Sequence, residues 1–360
     1  MGFFISRNGP SVILLLASIC VLLVYLLLGH YAHPSADDFC MAAGVQREGL
    51  LTHLLYHYQE WSGRYASNTL YAVFPLIFGF EGGYQLLPLL LLLSLYLASV
   101  WFLAGLFLLP LRTIGIHLLS LVFLVVFILG MRSVASGLYW TAGALTYQSA
   151  NILLLIQLGL MIRLFDNQED LKHKTILVSA LVITVVTGIG THETNMLVVM
   201  GLLVVPVLFQ FHLGWVYVRL WVFLLIIAVA ASAVVFLSPG NLERAATFPM
   251  RHDLARSLDG SLVMGFRTLA IWLGSPLLII STLLAPFLIS TLYRASSRTI
   301  HVSKWTIVLL FMLTFSVPFV LQFPAWWAMG GYPPARTVDA NYFVFLLCWF
   351  LTVVAITISF

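Results

Sequence analysis

The feature that most limits what this chain can become is the recurrence of apolar runs long enough to cross a lipid bilayer. The first of them, SVILLLASICVLLVYLLLGHY, begins at Ser11 and carries no charged residue. A helix needs about 20 apolar residues to span the hydrocarbon core. Stretches of about that length recur at 11–30, 86–109, 114–131, 145–163, 175–190, 196–211, 220–237, 275–293, 305–322 and 341–360. Only 8% of the 360 residues are charged, against about 25% in a soluble domain. The expectation is an all-α, polytopic transmembrane bundle of about ten spans, forming one domain over 1–360. The first run ends in GHYAHPS, a poor cleavage site, so it is expected to stay as an anchor. Segments 68–82 and 262–274 are apolar but broken by Gly and Pro (Pro75 and Gly79 in the first, Gly265 in the second), and are expected to be interfacial or re-entrant.

Charge placement suggests an orientation. With the N-terminus in the cytoplasm, all three lysines fall in short inner loops: Lys172, Lys174 and Lys304. Arg7, Arg112, Arg163, Arg219, Arg294 and Arg298 join them, as the positive-inside tendency expects. Every base on the other face is an arginine: Arg47, Arg64, Arg132, Arg244, Arg251, Arg256, Arg267 and Arg336. Arginine offers a planar fork that suits phosphate oxygens, whereas lysine is a point charge. The outer loops are then 31–85, 132–144, 191–195, 238–274 and 323–340, and they hold most of the acids. The net charge of +4 is not gathered on one element, so nucleic acid is not an expected partner. The three cysteines, Cys20, Cys40 and Cys348, imply no disulfide framework.

The unusual polar residues lie in these outer loops. SADDFC places Asp37 and Asp38 directly after the first span. Either Ser35 or Asp38 can cap a following helix. In a partly dry cleft the two carboxylates would also raise each other's pKa and make a general base. From Gln46 the loop has helical periodicity. An apolar stripe of Leu50, Leu51, Leu54, Leu55, Tyr58, Trp61 and Tyr65 opposes a polar one of His53, His57, Glu60 and Arg64. This is expected to be an interfacial amphipathic helix with its histidines toward water. Arg64, in EWSGRY, is a candidate anion anchor.

The second loop, SVASGLYWTAGALTYQ, supplies Tyr139, Trp140 and Tyr147, with Gly137 and Gly143 permitting close approach. GIGTHETNM sets His192 and Glu193 between two apolar spans. A zinc-protease His-Glu-x-x-His is excluded because Met196 holds the fifth position. Glu193 near membrane depth is a functional candidate. In LSPGNLERAATFPMRHDLARSLDG, Arg244 is the phosphate candidate, while Arg251 and Arg256 are expected to pair with Glu243, Asp253 and Asp259. FPAWWAMGGYPPARTVDANY presents Arg336 after a rigid turn, with Trp326 and Trp327 as interface anchors.

Taken together, the acidic pair Asp37-Asp38, W-S-G-R-Y (61–65), Y-W-T-A-G-A (139–144), T-H-E-T-N (191–195), S-P-G-N-x-x-R (238–244) and P-A-R (334–336) resemble the GT-C class of integral membrane glycosyltransferases. The resemblance is to a bacterial, polytopic subfamily, and it touches nearly every outer loop. It implies a sugar donor on a polyprenyl phosphate, a cell-envelope glycan or lipid acceptor, and membrane lipid as a partner. It implies the bacterial inner membrane, with the active site on the extracytoplasmic face. Carried onto this chain, Asp37 or Asp38 would be the catalytic base and Glu193 a second carboxylate. Arg64, His192, Arg244, Arg336, Tyr139 and Trp140 would form the substrate and phosphate set. Some members use a divalent metal, but no ligand set stands out here, so no cofactor is assigned. Many members are also longer, with a soluble outer domain. Two alternatives stay open: a transporter or flippase of a lipid-linked or anionic substrate, and a polymerase or ligase of lipid-linked glycans.

Overall fold

The computed structural model describes residues 2–165, 171–208, 215–296 and 302–359. Arg298 and the middle of the charged turn after Arg163 lie outside them. Among the described residues every regular element is helical. In chain order, α1 (Gly2–Gly29) leads into three short helices, α2 (Asp37–Glu48), α3 (Leu50–Glu60) and α4 (Tyr65–Phe78). Then come α5 (Glu81–Phe107), α6 (Ile114–Gly130), a single π-helical turn (Ala135–Tyr139) and α7 (Thr141–Leu164). The chain continues through α8 (Leu171–Ile189), α9 (Glu193–Leu208), α10 (Trp215–Phe236), α11 (Pro239–Ala246) and α12 (Leu254–Leu273). It finishes with α13 (Pro276–Ala295), α14 (Lys304–Val320), α15 (Phe323–Met329) and α16 (Ala335–Ser359).

Eight helical stretches among these residues are long and apolar enough to cross a membrane. They match the runs read at 11–30, 86–109, 145–163, 175–190, 220–237, 275–293, 305–322 and 341–360. The remaining two runs form α6 and α9, which are shorter apolar helices of 17 and 16 residues. At about 1.5 Å per residue each reaches only about 25 Å, short of a ~30 Å hydrocarbon core. The chain is a multi-pass helical membrane protein.

α7 is the hub. It packs on α5 and α8 and also touches α4, α16 and the π-turn. Its buried face runs from Thr141 and Ala144 through Leu154 and Leu155. α6 lies almost wholly inside, with Leu124, Val126 and Phe127 enclosed, while α1 stays peripheral with Ile13 and Leu27 outward. That reversal of the soluble pattern is what a bilayer favours, because lipid tails are as apolar as leucine.

The first loop corrects two expectations. The amphipathic stretch from Gln46 is broken at Gly49, whose φ of +82° is strained for a side-chain-bearing residue. Its polar stripe also faces inward at His53, which is 5% exposed, while Leu51 and Leu55 are 77% and 62% exposed. His53 fits only because position 44 is glycine: a Cβ there would sit 2.0 Å from the ring's Cε1. Gly44→Ala is therefore expected to destabilise the protein by about 1–3 kcal/mol through overpacking, read as a lower unfolding midpoint in detergent.

Candidate functional site

The loops around 31–85, 132–144, 191–195, 238–274 and 323–340 meet at one end of the bundle. Backbone locks of small residues make the meeting possible. Gly63 and Gly240 sit where the WSGRY and SPGN segments interlock: a Cβ on Gly63 would lie 2.2 Å from the Val235 carbonyl, and one on Gly240 2.3 Å from the Trp61 nitrogen. Gly63 N–H donates to Asn241 Oδ1 at 3.3 Å, and the Ser238 hydroxyl donates to the Tyr58 carbonyl at 2.5 Å. On its other side the first loop is fastened to the α8–α9 turn. Ala66 N–H donates to the Gly190 carbonyl at 3.0 Å, and Ser67 Oγ donates to the Thr191 carbonyl at 2.8 Å. The nearest obstructing atom at Gly63 is the Val235 carbonyl oxygen, a backbone atom that cannot swing aside. Gly63→Ala is expected to cost about 1–3 kcal/mol and to reduce the yield of folded protein, measured by size-exclusion chromatography.

These locks bring together three charged residues from three distant segments. Arg64 donates from Nη2 to Glu193 Oε2 at 2.6 Å, and from Nε to both Oε1 and Oε2 at 3.1 Å. Arg244 Nη2 donates to Glu193 Oε1 at 3.3 Å. Two guanidinium groups share one carboxylate, which leaves a local excess of positive charge. Both oxygens of Glu193 accept hydrogen bonds from these guanidinium groups. The Tyr147 hydroxyl lies beside Arg64 and shares a hydrogen with Thr337 Oγ1 at 2.8 Å. The Tyr147 ring packs on His192 with centroids 4.6 Å apart. Burial first, then the neighbouring Arg64 charge, pushes the His192 pKa down to about 3. The imidazole is neutral. Its Nδ1 accepts from Asn195 N–H at 3.3 Å, which assigns the proton to Nε2. That N–H is buried and has no partner.

The two aspartates separate cleanly. Asp38 is 1% exposed, with Oδ2 accepting from Ser35 N–H at 2.9 Å and Oδ1 accepting from the Tyr71 hydroxyl at 2.8 Å. Neither it nor Ser35 is the N-cap of α2. That position falls to Ala36, at φ +46°, without a side-chain bond. The amide of Ala142, in the first turn of α7, lies close to the Asp38 carboxylate. Burial raises Asp38 above its ordinary 3.8, only partly offset by these hydrogen bonds. An acid with a raised folded pKa holds its proton more tightly when folded, so it lowers stability as pH rises from 3.8 through the folded value. Asp38→Asn is expected to flatten that slope in a pH series of unfolding midpoints. Asp37, by contrast, is exposed at the start of α2 and forms no hydrogen bond or ion pair among the described residues.

Arg336 lies across the first turn of α7, its guanidinium over the Trp140 ring at 4.6 Å from the centroid. A Cβ on Gly143 would lie 2.2 Å from the Ser136 carbonyl and 3.2 Å from Arg336 Cδ, so this glycine admits the π-turn backbone first and the arginine stem beside it. Among the described residues Arg336 has no acidic partner. Trp140 thus carries a cation, a role beyond the belt residue its position suggests. Tyr139 points away and donates its hydroxyl to the Tyr25 carbonyl of α1 at 2.7 Å. Arg251 and Arg256 do not form the expected pairs. Arg256 Nε donates to the Gly330 carbonyl at 2.9 Å, while Asp253 caps α12 by accepting from Arg256 N–H at 2.9 Å. The π-turn is held by Asp339, which accepts from the backbone of Arg132 and Ser133. Sequence reading passed over Asp339, although an acid at the head of an apolar span was a signal for it.

The residues do not fit a resident metal. Among the described residues no group of three or more His, Cys, Asp or Glu side chains is placed to hold one. Both Asp38 oxygens and both Glu193 oxygens already accept hydrogen bonds. No family model, curated protein or solved structure matches this chain.

Proposed function

We propose that this protein is a membrane glycosyltransferase that moves a sugar from a polyprenyl-phosphate donor to a cell-envelope glycan or lipid acceptor, on the extracytoplasmic face. The observation that carries this reading is the pairing of Arg64 and Arg244 on Glu193, linked through Tyr147 and Thr337 to the turn that carries Arg336, with Asp37 open at the start of α2 in the same loop as Arg64. Asp37 serves as the base. It takes the proton of an acceptor hydroxyl as that oxygen bonds to the anomeric carbon, and the bond from that carbon to the phosphate oxygen breaks. The electron pair leaves on the lipid phosphate. Arg336, without an acid of its own among the described residues, and the cationic edge of Arg64 and Arg244 stabilise that charge. The Nε2–H of His192 adds a neutral donor beside them. Attack from the face opposite the leaving phosphate inverts the sugar carbon. Asp38 is a positioning residue that fixes the start of α2 against α7 and so sets where Asp37 stands.

The excess of cations over acids suits a phosphate-bearing substrate, as this reading requires. Isoprenyl phosphate is expected to raise the unfolding midpoint of the purified protein. Arg336→Met should weaken that binding about 10–100-fold, the range for a lost charge-assisted hydrogen bond, and leave the unliganded midpoint nearly unchanged. Equal binding by wild type and variant would remove Arg336 from the site.

A further inference from the structure

Beyond the charged cluster lies a set of buried polar groups that the reaction as described leaves unused. Gln322 and Asn341 are fully enclosed, both 0% exposed. Neither atom of the Gln322 amide has a hydrogen-bond partner, nor does Asn341 Oδ1, nor the Trp326 indole N–H one turn beyond Gln322. Asn341 meets the chain just before Gln322. Asn341 Nδ2 donates to the carbonyl of Leu321, the residue before Gln322, at 3.1 Å. Asn341 is also one helical turn from Thr337, which bonds Tyr147, the residue packed on His192 and Arg64. A row of side chains therefore runs from the arginines through Tyr147 and Thr337 to the Asn341–Gln322 junction.

Native proteins rarely leave buried amides unpaired, because each gives up its bonds to water and gains none. Here the unpaired set holds donors and acceptors together and contains no charge. A phosphate would call for cations, and those lie at the other end of the row. Hydroxyl groups, each donor and acceptor at once, are the complement of such a set. We propose that the Asn341–Gln322 junction binds the hydroxyls of the donor's sugar ring, while the arginines hold its phosphate. This rests on the transferase reading above, and names Asn341 and Gln322 as the residues that select the sugar.

The test uses the full-length protein in detergent, with citronellyl phosphate and a panel of citronellyl-phosphate hexoses and pentoses as probes. At least one sugar-bearing probe is expected to bind more tightly than the bare phosphate. Asn341→Leu and Gln322→Leu should abolish that increment, raising the Kd of the sugar-bearing probe at least tenfold while leaving that of the bare phosphate unchanged. The unliganded midpoint of Gln322→Leu should equal or exceed the wild type's, since an unpaired amide has been replaced by an apolar group of similar volume, while that of Asn341→Leu should fall below it through loss of the bond to the Leu321 carbonyl. Survival of the increment in both variants overturns the proposal and makes the junction a site of ordered water only. So does a panel in which no sugar improves on bare phosphate. No binding of bare phosphate by the wild type overturns the transferase reading itself, and the junction proposal with it. A diazirine-bearing sugar probe on the wild type gives a reading independent of how the variants fold. Label is expected on α15 or the second turn of α16, and labelling confined elsewhere overturns the assignment.

Discussion

Asp37→Asn is expected to lower sugar transfer by about 10²–10⁴-fold, the usual contribution of a positioned general base. The protein should fold as well as the wild type. Asp37 is exposed and forms no hydrogen bond or ion pair among the described residues, so asparagine there leaves no buried group unsatisfied. Asp38→Asn should act differently. Its carboxylate is enclosed between Ser35 N–H and the Tyr71 hydroxyl, so the variant is expected to alter stability and its pH dependence before it alters chemistry. Transfer assays beside unfolding midpoints separate the two. Full loss in Asp38→Asn with full activity in Asp37→Asn would reverse the assignment and make the buried acid the base.

Glu193→Gln should produce the largest loss of stability at the site. Glu193 holds Arg64 with three hydrogen bonds and Arg244 with a fourth, and these side chains are only 22–24% exposed. Removing its charge leaves two guanidinium groups facing each other without an acid. Breaking one partner out of a largely buried ion pair costs about 3–5 kcal/mol, and partial exposure places this case near the lower end. A double-mutant cycle with Arg64→Met checks the cause. If the penalty is charge left unpaired, the double variant recovers part of the loss. If Glu193→Gln alone unfolds at the wild-type temperature, the cluster has no structural weight.

Much of this architecture was legible because a bilayer punishes charge so strongly. Apolar runs alone located the helices, including the two that prove short, α6 and α9. Alternation of loops along those runs put Arg64, Glu193, Arg244 and Arg336 on one face. What the residues could not show was pairing. Arg64 and Glu193 lie 129 positions apart, so nothing local showed that this acid would be shared by two arginines. His53 was misplaced because amphipathic periodicity defines two faces without saying which one meets lipid. Asp37 and Asp38 are neighbours in sequence, and only the contacts of Ser35 and Tyr71 set them apart. The Asn341–Gln322 junction gave no sequence signal, since single amides near span ends are ordinary and their isolation appears only in the packed bundle.

The central claim is that the site transfers a sugar to the cell envelope. Mass spectrometry of envelope glycans tests it most directly, comparing a deletion strain carrying the wild type, Asp37→Asn or an empty vector, with expression matched between the two proteins. The account predicts that one defined hexose or pentose mass is missing with the empty vector and with Asp37→Asn, and present with the wild type. An envelope glycan profile that is the same in all three strains would contradict it.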